Sequence, residues 1–88
     1  MTITGFQQIT LDATTAQGLT IPAGSRKAVV TIESNNVRLR LDGTDPTASV
    51  GELIITTANR RELRESELSV AKFIAATNPA KINVHYYQ

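Results

Sequence analysis

Three segments of this chain alternate apolar and polar residues with a period of two. Ala28, Val30 and Ile32 alternate with Lys27, Val29, Thr31 and Glu33; Val37, Leu39 and Leu41 with Arg38, Arg40 and Asp42; Ile82, Val84 and Tyr86 with Lys81, Asn83 and His85. Successive side chains on a strand point to opposite faces, so each segment has one apolar and one polar face. An apolar sheet face must be covered, and a second sheet with the same pattern covers it. The many threonines and β-branched residues suit such a pleated surface. The pattern predicts an all-β fold, a small antiparallel β-sandwich or jelly-roll-like barrel of about eight short strands.

The punctuation agrees with that rhythm. Gly18 closes the polar stretch 12–17, and Pro22-Ala23-Gly24-Ser25 reads as a turn, with proline presetting φ and glycine accepting the left-handed angles that follow. Ser34-Asn35-Asn36 is a tight-hairpin candidate because Asn tolerates positive φ. Residues 42–47 (Asp-Gly-Thr-Asp-Pro-Thr) form a longer loop, and Asn78-Pro79-Ala80 another turn. One stretch is ambiguous. Residues 58–77 contain good helix formers, yet Leu63, Leu68, Val70, Phe73 and Ile74 follow helical spacing only in part. We read Glu62–Glu65 as a short edge strand or turn and Ser69–Ala75 as a buried strand; the alternative is a short helix within 58–67.

With 88 residues there is room for one domain, spanning 1–88, and its core is small. No cysteine and a single histidine remove disulfides and protein-supplied zinc as staples, so packing and partners must stabilise it. A net charge of +1 is too neutral for a nucleic-acid-binding domain, where a basic excess supplies the affinity. The longest uninterrupted apolar run is Phe73–Ala76, which is too short for a membrane span, and Met1–Thr4 lacks the features of a secretory signal. The expectation is no nucleic acid and no membrane.

The residues that could carry chemistry are few. His85 is the only imidazole, and no Gly-x-Ser-x-Gly elbow presents Ser49 or Ser66 to it; a polar-face position on a terminal strand accounts for His85. Asp42 and Asp45 could hold calcium with loop carbonyls, but the spacing is not that of an EF-hand, and turn chemistry explains both. The glycines form no phosphate-binding spacing. Phe6, Tyr86 and Tyr87 could form a sugar-stacking platform, although alternation places Tyr86 in the core. No cofactor, no metal and no enzymatic activity are expected.

Leu19-Thr20-Ile21-Pro22-Ala23-Gly24, the strand Val37-Arg38-Leu39-Arg40, the run from Asp42-Gly43-Thr44-Asp45-Pro46-Thr47 to Gly51, then Ala71–Ile74 and the ending Ile82–Tyr87 stand in an order that resembles small structural proteins of tailed bacteriophage virions. The likeness spans roughly residues 18–87. Leu39 departs from it, where an aromatic would be expected. The resemblance implies a β-sandwich or jelly roll fixed to a virion, assembled in the host cytoplasm. It would be a capsid decoration or cement protein, or a head–tail connector, neck or tail accessory protein. It brings no catalytic residues.

Arg38 and Arg40 lie on the polar face of one predicted strand; Arg60, Arg61 and Arg64 cluster later, interleaved with Glu62, Glu65 and Glu67. They form either a solvated, cross-strand paired face or charged contacts with neighbouring subunits, where the planar guanidinium matches carboxylates. Under the virion reading the interface residues are Arg38, Arg40, Asp42, Asp45, Arg60, Arg61 and Glu62, with residues 1–6 as an N-terminal arm that pairs with a neighbour. The partners would be the major capsid or head–tail protein and further copies of the chain as a homo-oligomer. The competing class is a carbohydrate- or receptor-binding β-module.

Overall fold

In the computed structural model, which describes residues 2–55 and 60–88, the alternating segments become strands with their apolar faces turned inward. The order is β1 (Ile3–Leu11), β2 (Lys27–Ser34), β3 (Val37–Arg40), β4 (Glu52–Ile54), β5 (Arg60–Arg64), the single helical turn α1 (Glu65–Leu68), β6 (Lys72–Ala75) and β7 (Ala80–Tyr87). One sheet has the order β1-β7-β2-β5 and the other β4-β3-β6, and every pairing is antiparallel. The chain is a small all-β sandwich. Seven strands are found among the described residues.

The core lies between the sheets. Ile9 and Leu11 come from β1, Ala28, Val30 and Ile32 from β2, and Ala80, Ile82, Val84 and Tyr86 from β7. Val37, Leu39, Phe73 and Ala75 face them from the three-stranded sheet. No polar or charged residue is buried among those described, so the interior is held by apolar packing. Tyr86 is fully buried with its hydroxyl donating to Gln7 Oε1 at 2.8 Å. Burial pushes its phenol up to about 12. The same Gln7 oxygen accepts from Thr20 N at 3.2 Å, which ties the 19–22 segment to the sheet.

Several expectations change in detail. Ser34–Asn36 is a tight turn with Asn35 at φ 60°, but it carries the chain from one sheet to the other, because β2 and β3 are not neighbours. Both strands bury their apolar faces in one core, so alternation cannot distinguish a hairpin from such a corner. Of residues 1–6, expected as an arm pairing with a neighbour, Met1 lies outside the described residues and 3–6 belong to β1 and pair within the chain, Ile3 with Tyr87 and Phe6 with His85. The edge strand predicted at Glu62–Glu65 is β5, shifted to Arg60–Arg64 and paired with β2. A helical turn does follow, at 65–68. Glu67 Oε1 accepts from Arg64 N at 2.9 Å, the glutamate half of a capping box. The buried strand predicted at Ser69–Ala75 begins only at Lys72. Positions 58 and 59 of the helical alternative lie outside the described residues.

Candidate functional site

β3 is the centre of the three-stranded sheet, and its outward residues are Arg38 and Arg40. Arg38 reaches over the loop that follows. Its Nη1 donates to Gly51 O at 2.9 Å and its Nε to Ala48 O at 3.4 Å. A guanidinium presents several donors in a rigid fork, so one side chain can hold two carbonyls of a returning loop. Gly51 has φ +135° and sits so close that a Cβ there would lie 3.2 Å from both Leu39 O and Pro46 Cβ. Pro46 is buried against this return. Thr47 and Val50 exchange backbone hydrogen bonds of 2.9 and 3.3 Å, and Ser49 N donates to Thr47 Oγ1 at 3.3 Å.

The other end of the loop is fixed by Asp42. Arg40 grips it with both guanidinium arms, Nε on Oδ1 at 3.1 Å and Nη2 on Oδ2. Thr44 N donates to Oδ1 at 3.2 Å, the turn chemistry expected of aspartate before glycine. The Arg40 hydrogen bond, followed by that of Thr44, holds the Asp42 carboxyl below its ordinary range, and the same bond raises Arg40. Asp42 is thus occupied by a guanidinium, a poor start for a cation site. Asp45 is exposed at the tip and makes no ion pair among the described residues. Together these bonds turn residues 42–51 into a braced platform that shows Thr44, Asp45, Thr47, Ser49 and Val50 to solvent.

The seven residues expected to share an interface do not share a surface. Arg38, Arg40, Asp42 and Asp45 gather on the outside of the three-stranded sheet. Arg60 and Glu62 point out from β5 on the opposite face of the sandwich, since β3 and β5 lie in different sheets and Leu63 of β5 is turned into the core. Glu62 is held by Lys27 at 2.7 Å, which lowers its carboxyl, and lies 3.7 Å from Arg60. Arg61 sits at the seam, donating to Glu52 of β4 at 2.8 and 3.4 Å, so it clasps the two sheets together. The β5 cluster is therefore engaged largely within the chain, as the paired-face reading proposed. A cleft of about 360 Å³ beside it includes Arg26, Arg61, Arg64 and Glu67, but Arg61 and both acids lining it already have partners.

Phe73 and Tyr86 are fully buried, which leaves Phe6 and Tyr87 as the aromatics with exposure. Phe6 packs on His85 with ring centroids 4.8 Å apart at 53°. Sequence reasoning missed the exposed apolar residues Val50, Leu53 and Ile55. The signal was the unbroken run Leu53-Ile54-Ile55, which cannot all face inward on a strand. It also missed Glu52 as the partner of Arg61, because ion pairs between sheets have no fixed sequence spacing. No group of three or more acidic or histidine side chains suited to a metal ion occurs among the described residues, and no described helix is long and apolar enough to cross a membrane. No family model, curated protein or solved structure matches the chain.

Proposed function

We propose that this chain is a non-enzymatic structural component of a tailed-bacteriophage virion that docks on the particle as a capsid decoration or cement protein and stabilises it. The observation that carries this reading is the braced 42–51 platform. The segment bearing the resemblance is pinned at both ends by Arg38 and Arg40, so its exposed residues are ordered before any partner arrives. Preorganisation lowers the entropy lost on docking, which matters for a domain able to offer only a small contact. Many copies on a repeating lattice make individually weak contacts cumulative. The docking residues are then Arg38, Arg40, Asp42 and Asp45 with Thr47 and Val50, while Arg61 and Glu62 serve the chain's own β5.

The test is co-sedimentation of the purified chain with matching particles lacking it, followed by a map of the decorated particle. Saturable binding with density over the 42–51 platform is the expected result, and Arg38→Glu with Arg40→Glu should abolish it. A chain that binds neither capsids nor tails overturns the proposal. Density at the neck or tail would move the same platform to a head–tail role. Glycan binding lost on Tyr87→Ala would favour the receptor-binding class instead.

A further inference from the structure

The two sheets have four lateral edges, and the chain treats them in two ways. The β6 edge is covered by Gln17, whose backbone exchanges two 2.8 Å hydrogen bonds with Phe73, and by Asp12, whose carbonyl accepts from Ala75. The β5 edge is charged and self-capped: the Arg61 guanidinium donates to the Glu62 carbonyl, and Glu67 Oε1 accepts from Arg64 N. Such coverage and charge discourage pairing with another chain. The β1 edge is only partly covered, with Gln17 Nε2 donating to Thr10 O, Thr20 N donating to Gln7 Oε1 and Pro22 lying against Gly5, and the β4 edge carries one paired charge, Glu52, among the described residues. Every large exposed apolar side chain described falls beside one of them: Ile3, Phe6 and Ile21 at β1, and Val50, Leu53 and Ile55 at β4.

The two patches differ in shape. Phe6, Ile21 and Pro22, with Gln7 and Thr20, line an uncharged cleft of about 350 Å³. Leu53 on β4 and Ile55 just past its end lie two residues apart, and the strand's one charge, Glu52, is taken by Arg61. The patches also lie on opposite flanks, for β5 is clasped to β4 while β6 lies beside β1. A two-fold contact joins like with like, whereas a cleft and a ridge on opposite flanks can meet only head to tail.

We propose that copies of this chain associate head to tail, with the Leu53–Ile55 ridge of one copy seated in the Phe6–Ile21–Pro22 cleft of the next. An aromatic side chain buries about 150–250 Å², so Phe6 at 55% exposure offers on the order of 100 Å². The four exposed apolar side chains of this contact (Phe6, Ile21, Leu53 and Ile55) together offer roughly 350 Å². At the usual apolar share of a little over half, that corresponds to a contact of about 650 Å², below the size of a stable pairwise interface. With a net charge of +1, copies repel one another little. Each copy keeps one open cleft and one open ridge until a ring closes, so closure is what makes so small a contact sufficient. This association needs no virion, and it stands or falls separately from docking on a particle.

The experiment is sedimentation velocity on the full chain from micromolar to near-millimolar concentration, with two double variants on exposed positions, Phe6→Asp/Ile21→Asp and Leu53→Asp/Ile55→Asp. The wild type should form a discrete multimer. Each variant alone should be monomeric, with association weakened on the order of a hundredfold. At the near-millimolar end an equimolar mixture should give a weak heterodimer and nothing larger, because one partner retains the ridge, the other the cleft, and a single contact cannot close a ring. Circular dichroism checks folding, and Gln in place of Asp serves where a variant unfolds. A wild type that stays monomeric throughout, a variant that assembles like the wild type, or a mixture without heterodimer each overturns the proposal.

Discussion

Replacing Tyr86 by Phe should give a stability difference that reverses with pH. At neutral pH the variant loses the 2.8 Å bond to Gln7 and keeps the packing of the ring. Gln7 Oε1 still accepts from Thr20 N, so no acceptor is orphaned, and the loss should be about 1 kcal/mol, or about 4–8 °C in Tm. In alkali the sign changes. Burial raises the folded phenol from 10.0 to about 12, so the unfolded chain gives up its proton first. The stability that neutral Tyr86 provides is fully present below pH 10 and is lost as pH rises toward 12. At pH 11 the wild type should have lost about 1.4 kcal/mol through this group, whereas the variant has nothing there to ionise. Urea unfolding of both proteins at pH 8 and pH 11 measures the gap, since every other side chain is common to the two. The wild type should lead by about 1 kcal/mol at pH 8 and trail slightly at pH 11. A gap of the same size at both values would refute the claim that the buried phenol resists ionisation.

Arg38→Ala should release the 42–51 platform, raising amide hydrogen exchange at Thr47 and Val50 and costing about 1–2 kcal/mol, with Arg38→Lys recovering only part because it cannot span both carbonyls. Gly51→Ala should destabilise by about 1–3 kcal/mol in thermal unfolding, since φ +135° excludes a side chain and the new Cβ meets Leu39 O at 3.2 Å. Stability should also fall in acid. Asp12, Asp42 and Glu62 are all held below their ordinary values of 3.8, 3.8 and 4.5, so their contribution is present above those values and disappears as pH drops through the lowered ones. A pH series of melting temperatures should be shallower for Asp42→Asn than for the wild type.

How far the chain can be read from sequence depends on whether the signal is local. Ala28–Ile32 and Ile82–Tyr86 are legible as strands because alternation is a property of neighbours, and the burial of Tyr86 follows directly. The corner at Ser34–Asn36 is not legible, because which strand lies beside which is decided by the whole core. The same holds for the site. The Asp42-Gly43 turn and the outward Arg38 and Arg40 are visible in the sequence, but the separation of Arg38 from Glu62 onto opposite faces depends on sheet membership. Residues 3–6 show no period-two alternation, since Ile3 and Phe6 are three apart and both exposed, and only pairing with β7 makes them a strand.

That same placement of β7 bears on how the molecule is made. The last strand in the order lies between the first two, pairing with β1 on one side and β2 on the other. As the chain emerges from a ribosome, β1 and β2 therefore wait with a gap one strand wide between them, and the four-stranded sheet can close only after every other described strand has been synthesised. Folding of this kind is late and non-local, hence slow for its size. Until β7 arrives, two edges stand open to other nascent chains, so a pause before residue 80 should be when the chain most needs a chaperone.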